Sequence, residues 1–209
     1  DNSHVSAREI IFNTPQHHTF HWVYKKNTKE DCDEDWVQFT VSAPQSGLIE
    51  ITTSQAYFSN PNTEIWLFDA SLNQIAYDDN SNGNLYSKII IDGLAPGTYY
   101  VKIRHITPLP EWNGSDYILE VRQCAPYDNF VTGVVNAGET RQYLATHNII
   151  AAGGGDVFEV NSGADVTLKA QHQIYLLPGF NAKPGSNFLA FTGPVSCDDE
   201  NYTGGRLSN

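Results

Sequence analysis

Asp31-Cys32-Asp33-Glu34-Asp35-Trp36-Val37-Gln38-Phe39, read together with Pro96-Gly97-Thr98-Tyr99-Tyr100-Val101-Lys102-Ile103, decides the fold. In the first stretch Val37, Phe39 and Val41 alternate with Gln38 and Thr40, the period of a strand with one face in a core and the other in water. In the second, a Pro-Gly turn feeds another alternating run. The pattern recurs outward from both. Leu48-Ile49-Glu50-Ile51 follows Gln45-Ser46-Gly47, and Ile65-Trp66-Leu67-Phe68-Asp69 follows Asn60-Pro61-Asn62; further runs lie at 74–77, 86–91, 99–104 and 117–122. Turns fall at 78–84, 92–97 and 108–115, and no helical stripe interrupts the series. About seven or eight strands at such spacing predict an all-β chain opening with a β-sandwich or jelly roll.

At Cys124-Ala125-Pro126-Tyr127-Asp128-Asn129 the alternation breaks, which divides the chain into domains at 1–123 and 124–197 with a tail at 198–209. Beyond Asn148 the texture changes. Short runs at 156–160, 165–170, 173–177 and 187–191 are punctuated by Asn161-Ser162-Gly163, Pro178-Gly179-Phe180 and Pro184-Gly185-Ser186. Corners recurring this often predict stacked rungs, a small β-solenoid-like domain, better than a second sandwich. The tail is polar and glycine-rich, the composition of a mobile end or linker.

Of 209 residues, 40% are hydrophobic and 12% aromatic, enough for a folded core, yet no apolar run is long enough to span a bilayer. Twelve Lys plus Arg against 24 Asp plus Glu give a net charge of −12. That balance repels phosphate backbones, excludes nucleic acid as a natural partner and favours cations. The chain contains no methionine and opens on Asp1, as expected of a processed form or a fragment. Three cysteines cannot all pair within one chain. A bridge between Cys124 and Cys197 would close the second domain as a unit and leave Cys32 as a buried small hydrophobe, a free thiol or an intermolecular link.

Candidate chemistry is sparse. Glu30, Asp31, Asp33, Glu34 and Asp35 crowd carboxylates into one turn, which either holds a cation such as calcium or stays solvated. Asp78-Asp79-Asn80-Ser81-Asn82-Gly83 resembles the start of a calcium loop, but Ile89 stands where the bidentate glutamate belongs, so an Asn/Gly hairpin turn is the better reading. His17, His18 and His21 cannot converge on zinc from one strand, because His18 points away from the other two. No nucleophile elbow, zinc-protease signature or phosphate loop is present, and the acidic surroundings of Cys32 disfavour its thiolate. Trp66, Tyr77, Tyr86, Tyr99, Tyr100, Trp112 and Tyr117 could instead supply a flat platform for a sugar or an extended polypeptide. Tyr99 and Tyr100 must face opposite ways, and Trp112 lies in a polar loop, so Tyr99, Tyr100 and Trp112 are the candidate ligand contacts.

Residues 1–122 resemble the bacterial pre-peptidase C-terminal domain through Asp33-Glu34-Asp35-Trp36-Val37-Gln38-Phe39, Ile65-Trp66-Leu67-Phe68-Asp69, Ile75-Ala76-Tyr77-Asp78-Asp79-Asn80 and Ala95-Pro96-Gly97-Thr98-Tyr99-Tyr100-Val101-Lys102-Ile103. Residues 125–197 resemble the three-coathanger stack through 162–170 and 177–186. The resemblances imply a non-catalytic bacterial protein at the cell surface or outside it, in settings that include type IX secretion. They imply calcium as the cofactor, with Asp1 and Asn2 matching the end of an N-terminal ligand linker and Asp33 and Asp35 matching the Asp-x-Asp motif. The expected role is adhesion, matrix attachment or self-assembly, with extracellular matrix, a surface polymer or other copies of the chain as partners. The alternative is the accessory, substrate-binding C-terminal region of a secreted peptidase or polysaccharide-degrading enzyme.

Overall fold

A computed structural model describes residues 3–21, 33–42, 45–57, 60–82, 85–106 and 115–199. Every regular element in them is a strand apart from one short 3-10 turn at His4–Ser6, and no helix is long and apolar enough to cross a membrane. The chain separates into two compact units, one of Asp1–Pro44 and Ile49–Gln123, the other of Gln45–Leu48 and Cys124–Asn209.

The first unit is a sandwich of two sheets. One contains β1 (Arg8–Glu9), β3 (Glu34–Val41), β5 (Thr63–Phe68), β6 (Gln74–Asp79) and β8 (Gly97–His105), in the order β1-β3-β8-β5-β6. The other contains β2 (Gln16–Phe20), β4 (Leu48–Gln55), β7 (Lys88–Asp92) and β9 (Ser115–Ala125), in the order β2-β9-β4-β7. The opening stretch and the Pro96-Gly97 stretch pair directly, β3 running antiparallel to β8 from Glu34↔Arg104 to Val41↔Gly97. Because pairing and pleat share a period of two, this register sends Val37, Phe39, Val101 and Ile103 inward together. Ile49, Ile51, Leu119 and Val121 meet them from the second sheet, and all are buried in one apolar core.

The Asp78–Asn82 segment is a corner that carries the chain from β6 in one sheet to β7 in the other, in place of the expected hairpin. The Asp78 carboxylate caps it, accepting hydrogen bonds from the backbone N–H groups of Ser81 at 3.2 Å and Lys88 at 2.7 Å. Asn80 takes a left-handed φ of 68°, which asparagine tolerates better than most residues. Both bonds fall on Oδ2, which is thereby committed to the turn.

The second unit is a three-sided parallel β-solenoid of three rungs. The first rung is β10 (Asn129–Val131), β11 (Gly133–Val135) and β12 (Thr140–Ala145); the second is β13 (Asn148–Ala151), β14 (Phe158–Val160) and β15 (Asp165–Ala170). The third is β16 (Gln173–Leu176), β17 (Phe180–Ala182) and β18 (Asn187–Thr192), and each side forms a parallel three-stranded sheet. Inward residues stack rung upon rung, with Phe158 over Phe180 and Val166 over Phe188. Gly179 turns a corner at a φ of 108°, where an added Cβ would sit 2.3 Å from the Asp156 carbonyl oxygen.

Cys124 and Cys197 are joined by a disulfide that links residues 73 positions apart. Cys124, Ala125, Leu144 and Val195 form a small apolar cluster beside it. Asp199, part of the expected mobile tail, is held by the Lys169 ammonium, with Nζ to the carboxylate oxygens at 2.7 and 2.8 Å. Burial raises the Asp199 carboxyl, but the lysine and the Ser196 N–H outweigh it and the pKa falls below the usual value.

Candidate functional site

The alternation that buries Val37 and Val101 turns their neighbours outward, and register assembles those neighbours into rows across the five-stranded sheet. Trp36 lies opposite Lys102, Lys102 opposite Trp66, and Trp66 opposite Tyr77. The next row is Gln38, Tyr100 and Phe68, and on the other side lie Glu34, Arg104, Glu64 and Asp79. Trp36 stacks on Phe68 with centroids 5.4 Å apart and planes at 24°, while the Trp66 and Tyr77 rings are 5.2 Å apart. His4 approaches Trp36 and Tyr100 edge-on.

Cations are laid between the rings. Lys102 Nζ is 5.0 Å from the Trp66 ring and 5.8 Å from Trp36, and the Arg104 guanidinium is 5.1 Å from Trp66. Each is neutralised by a carboxylate: Lys102 by Glu34 at 2.5 Å, Arg104 by Glu64 at 2.6 Å. The Tyr77 hydroxyl donates to Glu64 at 2.8 Å; burial, followed by that carboxylate, pushes its pKa up to about 12. Trp36, Trp66, Phe68 and Tyr100 are half-buried, whereas Tyr77 is exposed. Such a face offers flat ring surfaces with hydrogen-bonding edges and almost no net charge, which suits an extended, uncharged ligand better than an anionic one.

A second cluster lies between the sheets. Asp35 points inward from β3 and accepts the Tyr117 hydroxyl at 2.8 Å; burial raises its pKa, and that hydrogen bond offsets part of the rise. The Tyr117 hydroxyl is pushed well above its usual value by its own burial and then by Asp35. Asp33 accepts the backbone N–H of His21 at Oδ2, while its Oδ1 is buried with no hydrogen-bond partner among the described residues. His18 stacks on Tyr117 at 5.4 Å, and its Nε2 is likewise buried without a partner among the described residues.

The structure sorts the expected site residues. Asp33 and Asp35 are both buried at the start of β3, and Asp1, Asn2, Cys32 and Trp112 lie outside the described residues. Among the described residues no group of three or more His, Cys, Asp or Glu side chains converges as metal ligands do. Tyr100 lies on the aromatic face. Tyr99 does not: it is 8% exposed, its ring stacks on Phe39, and its hydroxyl donates to the Ala95 carbonyl, which removes it from the ligand contacts. Trp36 and Phe68, read only as strand residues, belong to the face; their phase with Glu34, Gln38 and Trp66 is the signal that finds them.

Residues 33–105 match the family model of the bacterial pre-peptidase C-terminal domain. The matched segment runs from Asp33 through β8 and therefore contains every strand that contributes to the aromatic rows. Among solved structures, the chain is similar to the pre-peptidase C-terminal domain of collagenase from Bacillus anthracis, at 19% identity over 56% of this chain and 94% of that one, with a TM-score of 0.39. It is also similar to PliG of Aeromonas hydrophila, a periplasmic inhibitor of g-type lysozyme, at 10% identity over 55% of this chain and 95% of that one, with a TM-score of 0.34. No curated protein matches the sequence.

Proposed function

We propose that this chain is a non-catalytic extracellular attachment module whose first unit binds an extended, uncharged polymer, a matrix polypeptide or a polysaccharide, on the outer face of the five-stranded sheet. One observation carries the reading: the row Trp36, Lys102, Trp66, Tyr77, in which register alone places three aromatic side chains and a paired cation across adjacent strands. A buried core has no use for such a row, and a purely solvated face would be built of charges and short polar groups. Sedimentation of the full chain with insoluble collagen and with insoluble polysaccharides tests it. Retention on one polymer is expected; failure to bind any of them overturns the proposal.

A second reading is favoured by the family match at 33–105: the chain is the accessory region of a secreted enzyme and holds the polymer for a catalytic domain elsewhere in the precursor. The two readings share the aromatic face and differ in what precedes it, so the precursor sequence separates them.

Calcium belongs to the proposal as a stabiliser. The buried Asp33 Oδ1 is an oxygen of the hard type calcium prefers, close to the Asp35 carboxylate and without a partner among the described residues, and a buried carboxylate oxygen is costly without a cation or donor. Asp33 and Asp35 would hold the ion, with Asp1 and Asn2 as the further ligands that the family resemblance supplies.

A further inference from the structure

The solenoid ends abruptly. In the second rung the inward residues Ile149, Ala151, Phe158 and Leu168 are fully buried between neighbours. Their counterparts in the third rung are Ile174, Leu176, Phe180 and Ala190, and none of these is buried; Leu176 is 45% exposed although it points along the core. Among the described residues the backbone at this end is open as well. Asn187 and Gly193 donate their N–H groups to Ala164 and Ala170 in the rung below, so by alternation Phe188, Ala190 and Thr192 turn theirs to the free edge of β18.

Natural edge strands are usually protected by charges, prolines or bulges. The strands β16, β17 and β18 contain no charged residue and no proline. Across 173–192 the one charged side chain is Lys183, and it is paired with Glu159 of the rung below at 2.5 Å. In a chain of net charge −12 this end is therefore neutral. The described residues beyond β18 do not cover it: Val195 packs with Cys124 and Leu144, Cys197 bonds to Cys124, and Asp199 binds Lys169, all of which lead back toward earlier rungs.

We propose that the third rung is a self-association surface, closed by the same rung of a second copy about a two-fold axis centred on β18. The contact is independent of the polymer-binding face. A two-fold demands a surface that tolerates its own image, and an uncharged end meets that demand where most of this acidic chain would repel itself. Antiparallel pairing of Asn187-Phe188-Leu189-Ala190-Phe191-Thr192 with itself sets Ala190 opposite Ala190 and Phe188 opposite Thr192, so the outward-turned N–H and C=O groups satisfy one another. The same contact lays the two open cores together, burying Ile174, Leu176, Phe180 and Phe188.

Sedimentation velocity on the full chain, up to about 100 μM to capture a micromolar contact, tests this. The expected result is a concentration-dependent dimer. Ala190→Pro removes an edge N–H that the β15–β18 ladder does not use, and should give a monomer with an unchanged circular dichroism spectrum. Should proline disturb the strand, Ala190→Lys and Ala190→Glu serve in its place: each alone should be monomeric, and an equimolar mixture should dimerise through the opposed charges. A wild-type chain that stays monomeric overturns the proposal, whether because the end is bare or because residues after 199 cover it. So does a dimer that survives all three substitutions.

Discussion

Tyr117 donates its hydroxyl to Asp35 at 2.8 Å, joining β9 of one sheet to β3 of the other inside the sandwich. The tyrosine is fully buried, so its hydroxyl has no water to fall back on, and the carboxylate is what makes that burial tolerable. Tyr117→Phe should therefore lower stability by about 1–3 kcal/mol, the range for a buried acceptor that loses its donor. The loss should shrink when Asp35 is already asparagine. Urea denaturation of the two single variants and the double variant measures the coupling, and additive effects would show that the bond contributes nothing.

His18 should make the sandwich acid-sensitive. Burial, with a smaller contribution from the positive charge of His17, lowers its pKa from 6.5 to about 4. The unfolded chain then binds more protons than the folded one between those two values, so stability is fully present above pH 6.5 and is lost as pH falls toward 4. The contribution at stake is about 3 kcal/mol. Thermal melts from pH 7 to pH 4 should show a decline that His18→Phe flattens, since phenylalanine keeps the stacking on Tyr117 without the proton.

Calcium should raise the melting temperature of the first unit. An ion that binds only the folded state adds stability by mass action, about 2.7 kcal/mol at a hundredfold excess over its dissociation constant. Melts in millimolar calcium and in chelator should differ for the wild type and coincide for Asp33→Asn. Identical wild-type curves would eliminate the ion.

Trp66→Ala should weaken polymer binding at least tenfold, because Trp66 contacts Lys102, Arg104 and Tyr77 and lies at the centre of the face. Thr40→Ala, on the same face of β3 but beyond the aromatic rows, should bind as the wild type does. Equal loss in both variants would point to damaged folding rather than to a lost contact.

Reduction of the Cys124–Cys197 disulfide should destabilise the solenoid selectively. Closing a loop of 73 positions restricts the unfolded chain by an entropy equivalent to about 4 kcal/mol. Melts with and without reductant, followed by Trp fluorescence for the first unit and by far-ultraviolet circular dichroism for both, should shift only the solenoid transition; all four tryptophans lie at or before residue 112.

Strand positions were legible because period-two alternation is a local property. Val37 and Phe39 announce a buried face whatever pairs with them, and the turns at Pro96-Gly97 and Pro178-Gly179 announce corners. The change of texture beyond Asn148 likewise pointed to rungs, since residues that stack in space recur in sequence as similar short runs. The site was less legible. Alternation set Tyr99 and Tyr100 on opposite faces without saying which face was inside; pairing of Tyr99 with Phe39 answers that, and removes one expected contact. The residues of the Asp78 turn fit a hairpin, but its flanking strands pair in different sheets, a choice no local signal carries.

Local sequence therefore carried most of the strands, the alternation of their faces, several corners and the change from sandwich to stacked rungs, all of which depend on neighbours within a few positions; the first rung, at 129–145, was not among them. Tertiary structure decided register and termination. Trp36, Lys102, Trp66 and Tyr77 span 67 positions and become one row only when β3, β8, β5 and β6 are laid side by side, and among the described residues the third rung becomes an open end only because the chain after β18 turns back to Cys124. Both are matters of which strand lies beside which, and long-range pairing is set by the whole fold rather than by any local run of residues.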